Sequence, residues 1–210
     1  MRVLWATLVV VVLDQLTKAW VVAMMEIGDT IPVIGQWFRL SYFQNPGFAF
    51  GWTLGSKLLL SIVSVLATAM VAVYLVWLRE ASRTYRLALA LILGGAIGNL
   101  IDRVFAGVVY GYAPLGYGNV IDFLHLDVYH GFVDLPWRTY PTFVALFPVS
   151  NIADVAIIVG LVLVLAAHIA LGRQERAEQR AASVAEASLA GAGRDAADLA
   201  GAPEHPEASA

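Results

Sequence analysis

The sequence contains no cysteine, which excludes a catalytic thiolate, a thiolate-ligated metal and a disulfide framework. Charge is also scarce. Only 14% of the 210 residues are Asp, Glu, Lys or Arg, against roughly 25% in an ordinary soluble domain. Hydrophobic residues make up 60%, against about 45–50% in a soluble domain. These values exclude a soluble globular fold and identify a membrane protein of one compact unit. The net charge of −3 lies in the tail: residues 173–210 hold four Arg and seven acidic groups. The rest is balanced, with nine basic and nine acidic side chains, so nothing points to a nucleic-acid partner. No Gly-x-Ser-x-Gly is present, and the histidines, His125, His130, His168 and His205, have no matched serine.

Four apolar stretches, at about 3–25, 54–78, 85–104 and 151–171, each approach the ~20 residues that cross a bilayer. The first resembles a secretory leader, but Asp14 and Lys18 interrupt it and no cleavage site follows, so it is read as a retained span. Residues 26–54 are polar and aromatic, and Thr30–Phe43 alternates as short strands do. Residues 105–147 form a long second loop without an apolar span. The tail 173–210, rich in Ala, Glu and Gly, is expected to lack fixed structure. Arginines cluster between the second and third spans and after the fourth, and Arg2 precedes the first. The positive-inside rule therefore places both termini in the cytoplasm and both long loops outside.

Ionisable groups within spans are costly and point to function or pairing. Asp14 and Lys18 lie four apart on one helix face and suit an ion pair. Gly94 and Gly98 permit close helix approach, and Asn99, Asp102 and Arg103 follow at the outer end. Asn151 and Asp154 share a face at the start of the fourth span. With Asn45 and Asp122 from the loops, Asn99, Asp102, Arg103, Asn151 and Asp154 converge near one outer membrane boundary.

Two close carboxylates resist joint ionisation, so one serves as acid and the other as base toward water. Asp122 and Asp154 suit that chemistry. A metal-dependent hydrolase using Asp122, His125, Asp127 and His130 is an alternative. A small polytopic transporter is another, although no internal repeat or pair of broken helices supports it.

Five blocks carry a family resemblance: Asp14-Gln-Leu-Thr-Lys18, Asn45-Pro-Gly-Phe-Ala-Phe50, Gly94-Gly-Ala-Ile-Gly-Asn-Leu-Ile-Asp-Arg103, Val120-Ile-Asp-Phe123 and Phe147-Pro-Val-Ser-Asn-Ile-Ala-Asp154. In that order, over residues 1–171, the chain resembles lipoprotein signal peptidase, the bacterial signal peptidase II. The resemblance implies an all-α membrane protein: four transmembrane helices, with a small β-cradle and a short helix on the extracytoplasmic face. It implies an aspartic endopeptidase of the bacterial cytoplasmic membrane that cleaves diacylglyceryl-modified prolipoproteins before the lipidated cysteine. Its catalytic pair maps to Asp122 and Asp154. Site-shaping positions map to Asp14, Lys18, Asn45, Gly47, Asn99, Asp102, Arg103 and Asn151. No metal or organic cofactor is implied; the expected partners are the prolipoprotein substrate and membrane lipid, and the chain is expected to be monomeric. Tyr110–Asn119 and Asp127–Thr142 exceed the family pattern and are read as a lid. On this reading Asp102, the first candidate for chemistry in the third span, becomes scaffold.

Overall fold

The computed structural model describes residues 3–47, 57–78, 80–128, 130–133, 142–145 and 147–200. Helix α1 is Leu4–Met24, α2 is Lys57–Trp77 and α3 is Arg83–Ile101. The third helix continues through a π-helical turn, Asp102–Ala106, into the short α4, Gly107–Val109. Helix α5 is Ile152–Ala200. Four stretches, Leu4–Met24, Lys57–Trp77, Arg83–Val109 and Ile152–Gln174, are long and apolar enough to cross a membrane. Residues 1–164 form one compact unit and 165–210 a second.

Helix α3 is the central element, and glycines bring its neighbours close. A Cβ on Gly94 would meet Val10 of α1 at 2.8 Å. One on Gly95 would strike the Ala153 carbonyl of α5, and one on Gly160 of α5 would meet the Ala88 carbonyl at 2.7 Å. Lipid tails are as apolar as leucine, so close backbone packing replaces the hydrophobic drive between helices. Ala6, Leu75, Leu89, Ala90 and Leu93 form the core within the bundle. Large apolar side chains such as Leu16, Leu66, Met70 and Leu161 are exposed on its perimeter, as lipid-facing residues are.

Strands β1 (Thr30–Ile34), β2 (Phe38–Asn45) and β3 (Val120–Leu126) form an antiparallel sheet in the order β1-β2-β3. A separate pair joins β4 (His130–Val133) to β5 (Thr142–Ala145). The sheet seats on the end of α1 through Val21, Met25, Tyr42, Ile121 and Phe123. This connection carries β3, and with it Asp122, down to the helices.

The strands expected in Thr30–Phe43 are present as β1 and β2. The second loop, read as a long connection without an apolar span, supplies β3, β4 and β5. The third span, expected over 85–104, runs to Val109: the π-helical turn Asp102–Ala106 leads without a break into α4, which begins at Gly107. The fourth helix continues past Leu171 through Ala200, so residues 173–200, expected to lack fixed structure, are helical. This segment is rich in alanine, the strongest helix former, and its next proline is Pro203. The predicted start of the second span at Leu54 and the Phe48–Phe50 part of the second block lie outside the described residues. So do residues 134–141 of the expected lid. Its other part, Tyr110–Asn119, folds back on the third helix: the Gly116 and Gly118 N–H groups donate to the Val104 and Arg103 carbonyls at 2.9 Å.

Candidate active site

Strand β3 presents Asp122 and the first turn of α5 presents Asp154. Asn151 joins the two. Its Nδ2 donates to Asp122 Oδ1 at 2.7 Å. It also caps α5: the Asp154 N–H donates to Asn151 Oδ1 at 3.0 Å, and the Asn151 N–H donates back to Asp154 Oδ2 at 3.2 Å. This reciprocal capping satisfies helix-end donors that would otherwise be orphaned. One residue therefore fixes both carboxyl groups.

Asn99 of α3 completes the frame. Its Nδ2 donates to Asp154 Oδ1 at 2.8 Å, and its Oδ1 accepts from Asn151 Nδ2 and Lys18 Nζ, each at 3.1 Å. From β2, Asn45 Nδ2 donates to Asp122 Oδ2 at 3.0 Å. Asn45 is held by the turn that follows: the Gly47 N–H donates to Asn45 Oδ1 at 2.8 Å, with Gly47 at φ +89°. A side chain at Gly47 would be strained at that φ, and its Cβ would strike Leu60 and meet Arg103 Nη1 at 2.8 Å. Arg103 is half-buried and its charge acts on Asp122, Asp102 and Asp154.

The two carboxyl groups differ in environment. Asp122 is only 1% exposed, whereas Asp154 is half-buried. Burial, more than any other factor, pushes the Asp122 carboxyl up to about 7; the Asn45 hydrogen bond opposes this and the Asp154 charge adds to it.

Beneath them lies a buried charge cluster. Lys18 Nζ contacts Asp14 Oδ2 at 2.8 Å and Asp102 Oδ2 at 2.7 Å. Each of these carboxylates also grips a backbone N–H. Asp102 accepts from Ile121, immediately before Asp122, at 3.2 Å. Asp14 accepts from Ala153, immediately before Asp154, at 2.9 Å. Lys18 thus ties together the two anchors that set the positions of Asp122 and Asp154.

Every predicted site residue falls within this frame. Sequence reasoning missed Gln15, whose Nε2 contacts Asp14, Asp102 and the Gly98 carbonyl at 3.1–3.2 Å. Its position beside Asp14 in the first block was the available signal. Also missed were Lys57 and Asn119: Lys57 Nζ donates to Asn119 Oδ1 at 2.8 Å, linking α2 to the entry of β3. The metal alternative does not assemble. Strand alternation turns His125 away from Asp122, and its Nδ1 lies 2.9 Å from Ser41 Oγ. Asp127 pairs with Arg39, and the His130 side chain lies outside the described residues. Among the described residues, no group of three His, Cys, Asp or Glu side chains is placed to hold a metal ion.

The family model described as signal peptidase (SPase) II matches residues 6–170. The chain belongs to the signal peptidase II family. A lipoprotein signal peptidase of Amoebophilus asiaticus (strain 5a2) is 40% identical over 174 residues, covering 75% of this chain and 73% of its own. One from Chlorobium phaeobacteroides (strain BS1) is 37% identical over 152 residues, covering 72% and 85%. A solved bacterial membrane enzyme matches with a TM-score of 0.60 at 25% identity, covering 80% of this chain and 87% of its own. Membership in signal peptidase II makes the chain a protease, in keeping with its four helices apolar enough to span a membrane, and favours this reading over the transporter and metal-hydrolase alternatives.

Proposed function

We propose that this signal peptidase II is an aspartic endopeptidase that removes the signal peptide from diacylglyceryl-modified prolipoproteins, cleaving before the lipidated cysteine. Asp122 and Asp154 form the catalytic pair. The observation that carries this reading is the shared clamp on the two carboxyl groups: Asn151 contacts both, while burial separates their environments.

At neutral pH Asp122 is the partner that retains a proton, given its carboxyl at about 7. Both its oxygens already accept an amide N–H, so the acidic proton occupies a remaining lone pair. Asp154, more open to solvent, takes a proton from the attacking water. Hydroxide adds to the scissile carbonyl as the Asp122 proton moves to its oxygen. Collapse breaks the C–N bond as Asp154 passes its acquired proton to the leaving amine and a hydroxyl proton of the tetrahedral intermediate returns to Asp122. Asn45, Asn99 and Asn151 hold the carboxyl groups through these transfers. The chemistry requires only two carboxyl groups and water, without a metal or organic cofactor.

The distribution of arginines supports cytoplasmic termini and an active site at the extracytoplasmic boundary of the bacterial cytoplasmic membrane. There the diacylglyceryl group remains in lipid while the peptide bond reaches water. The chain is taken to act as a monomer.

Asp122→Asn and Asp154→Asn are each expected to lower cleavage of a diacylated prolipoprotein by at least about 10²-fold. Both variants should still accumulate as intact membrane protein. Full turnover by either one would refute the assignment.

A further inference from the structure

The β1–β2 hairpin has a surface that the catalytic reading does not use. Residues 30–38, Thr-Ile-Pro-Val-Ile-Gly-Gln-Trp-Phe, carry no charge. All five β1 residues are exposed, and Ile31, Val33, Ile34 and Trp37 show 47–51% of their surface. Strand β1 is also a sheet edge. Edge strands that face water are usually guarded by charge, a bulge or proline. Here Pro32 and a register shift between Pro32 and Ile34 blunt the edge, β1 itself carries no charge, and Arg39, opposite Pro32 on β2, is paired with Asp127.

The same apolar surface continues onto α1. Trp20 and Met24 are exposed on the last turns of that helix, and Ile27 continues the exposure toward β1. Val21 and Met25, on the same turns, anchor the sheet. The root of the hairpin therefore lies where α1 leaves the hydrocarbon. Trp37 lies beside Phe38, with ring centroids 6.1 Å apart, and an indole at this level suits the headgroup region.

We propose that the β1–β2 hairpin is a membrane-inserting tip, with Ile31, Val33, Ile34 and Trp37 lodged among the headgroups and upper acyl chains of the leaflet bordering the active site. The occupant of this surface is lipid, as on the exposed face of α1. The proposal depends on the membrane location of the family and is independent of the roles given to Asp122 and Asp154. Phe38 and Asn45 are seven positions apart along β2, about 23 Å at ~3.3 Å per residue, so the tip can be altered without touching the catalytic frame.

Because the chain has no cysteine, single-cysteine labelling needs no background removal. Val33→Cys and Ile34→Cys would carry a nitroxide in the full-length protein, reconstituted into phosphatidylcholine–phosphatidylglycerol vesicles. Leu66→Cys on the exposed face of α2 gives the lipid reference, and Glu80→Cys the aqueous one. At both hairpin positions, collisions with molecular oxygen should exceed those with a water-soluble nickel chelate, as at position 66. Nickel-dominated collisions like those at position 80 would overturn the proposal. Shielding from both reagents would also overturn it, by indicating that protein covers the tip. If the labelled variants fail to fold, brominated-lipid quenching of tryptophan emission supplies the test: Trp37→Phe should remove part of the quenched signal. An unchanged quenched fraction would refute insertion.

Discussion

Substituting Asn45 by alanine tests the proton assignment through the direction of a pH shift. Asn45 Nδ2 donates to Asp122 Oδ2 at 3.0 Å and is the main contact holding that carboxyl down against burial. A hydrogen bond to a charged group contributes about 1.5–3 kcal/mol, and one pKa unit corresponds to about 1.4 kcal/mol. Removing the donor should therefore raise Asp122 by about 1–2 units. If protonated Asp122 is the acid, the parent loses activity as pH rises through about 7. The variant should lose it between about pH 8 and 9. At pH 8 the parent would retain about a tenth of its plateau rate and the variant half or more, each relative to its own maximum.

The assay is kcat against pH on a diacylated prolipoprotein, with each curve normalised to its plateau. Normalisation matters because Asn45 Oδ1 also accepts from the Gly47 N–H. Loosening that turn lowers the plateau but leaves the direction of the shift unchanged. The limb belongs to the coupled pair, since the Asp154 charge also raises Asp122. An alkaline limb that stays at 7, or moves to lower pH, would refute Asp122 as the proton donor.

Stability should carry the same signature. A carboxyl raised from 3.8 to about 7 binds its proton more tightly when folded, so rising pH costs stability across that window, up to about 4 kcal/mol. Thermal unfolding in detergent should show Asp122→Asn lacking this slope, and parallel slopes would contradict the assignment. Lys18→Met strands Asp14 and Asp102 without their cation and should cost about 3–5 kcal/mol; an unchanged melting temperature would remove Lys18 from the frame. Gly95→Ala places a Cβ against the Ala153 carbonyl and 2.6 Å from Ile157 Cγ1, displacing Asp154 from Asn99, and kcat should fall about 10²-fold. Gly172→Ala, where nothing lies within 4 Å, should leave activity unchanged.

The spans were legible because crossing a bilayer demands a long apolar run, and a charge within such a run stands out. That contrast brought Asp14, Lys18, Asp102 and Asp154 into view. Asp122 was visible for a different reason: it lies in a loop block whose neighbours follow a family order. Strand β3 was missed because its partner, β2, lies some 80 positions earlier, and its pairing shifts register between Leu40 and Phe43. No local pattern records such a pairing. Gly118 was missed for a similar reason. Its requirement comes from the Asp102 carbonyl, which leaves no room for a Cβ, and becomes visible only when the chain folds back. The tail helix was missed because low hydrophobicity was weighed above alanine content.

The placement of charge supports reading Asp102 as scaffold, although it first looked catalytic. Burying Lys18 with two aspartates is poor as a source of stability, because desolvation offsets most of the attraction. The arrangement gains something else. Asp102 holds the backbone N–H immediately before Asp122, and Asp14 holds the one immediately before Asp154. Lys18 closes the link between them. Because α1, α3, β3 and α5 arrive from distant parts of the chain, hydrophobic packing alone would tolerate small slides among them. A directional ionic joint does not, and a proposed dyad sharing one proton depends on a fixed spacing. The cluster that is most expensive to bury therefore lies where positional error would cost most.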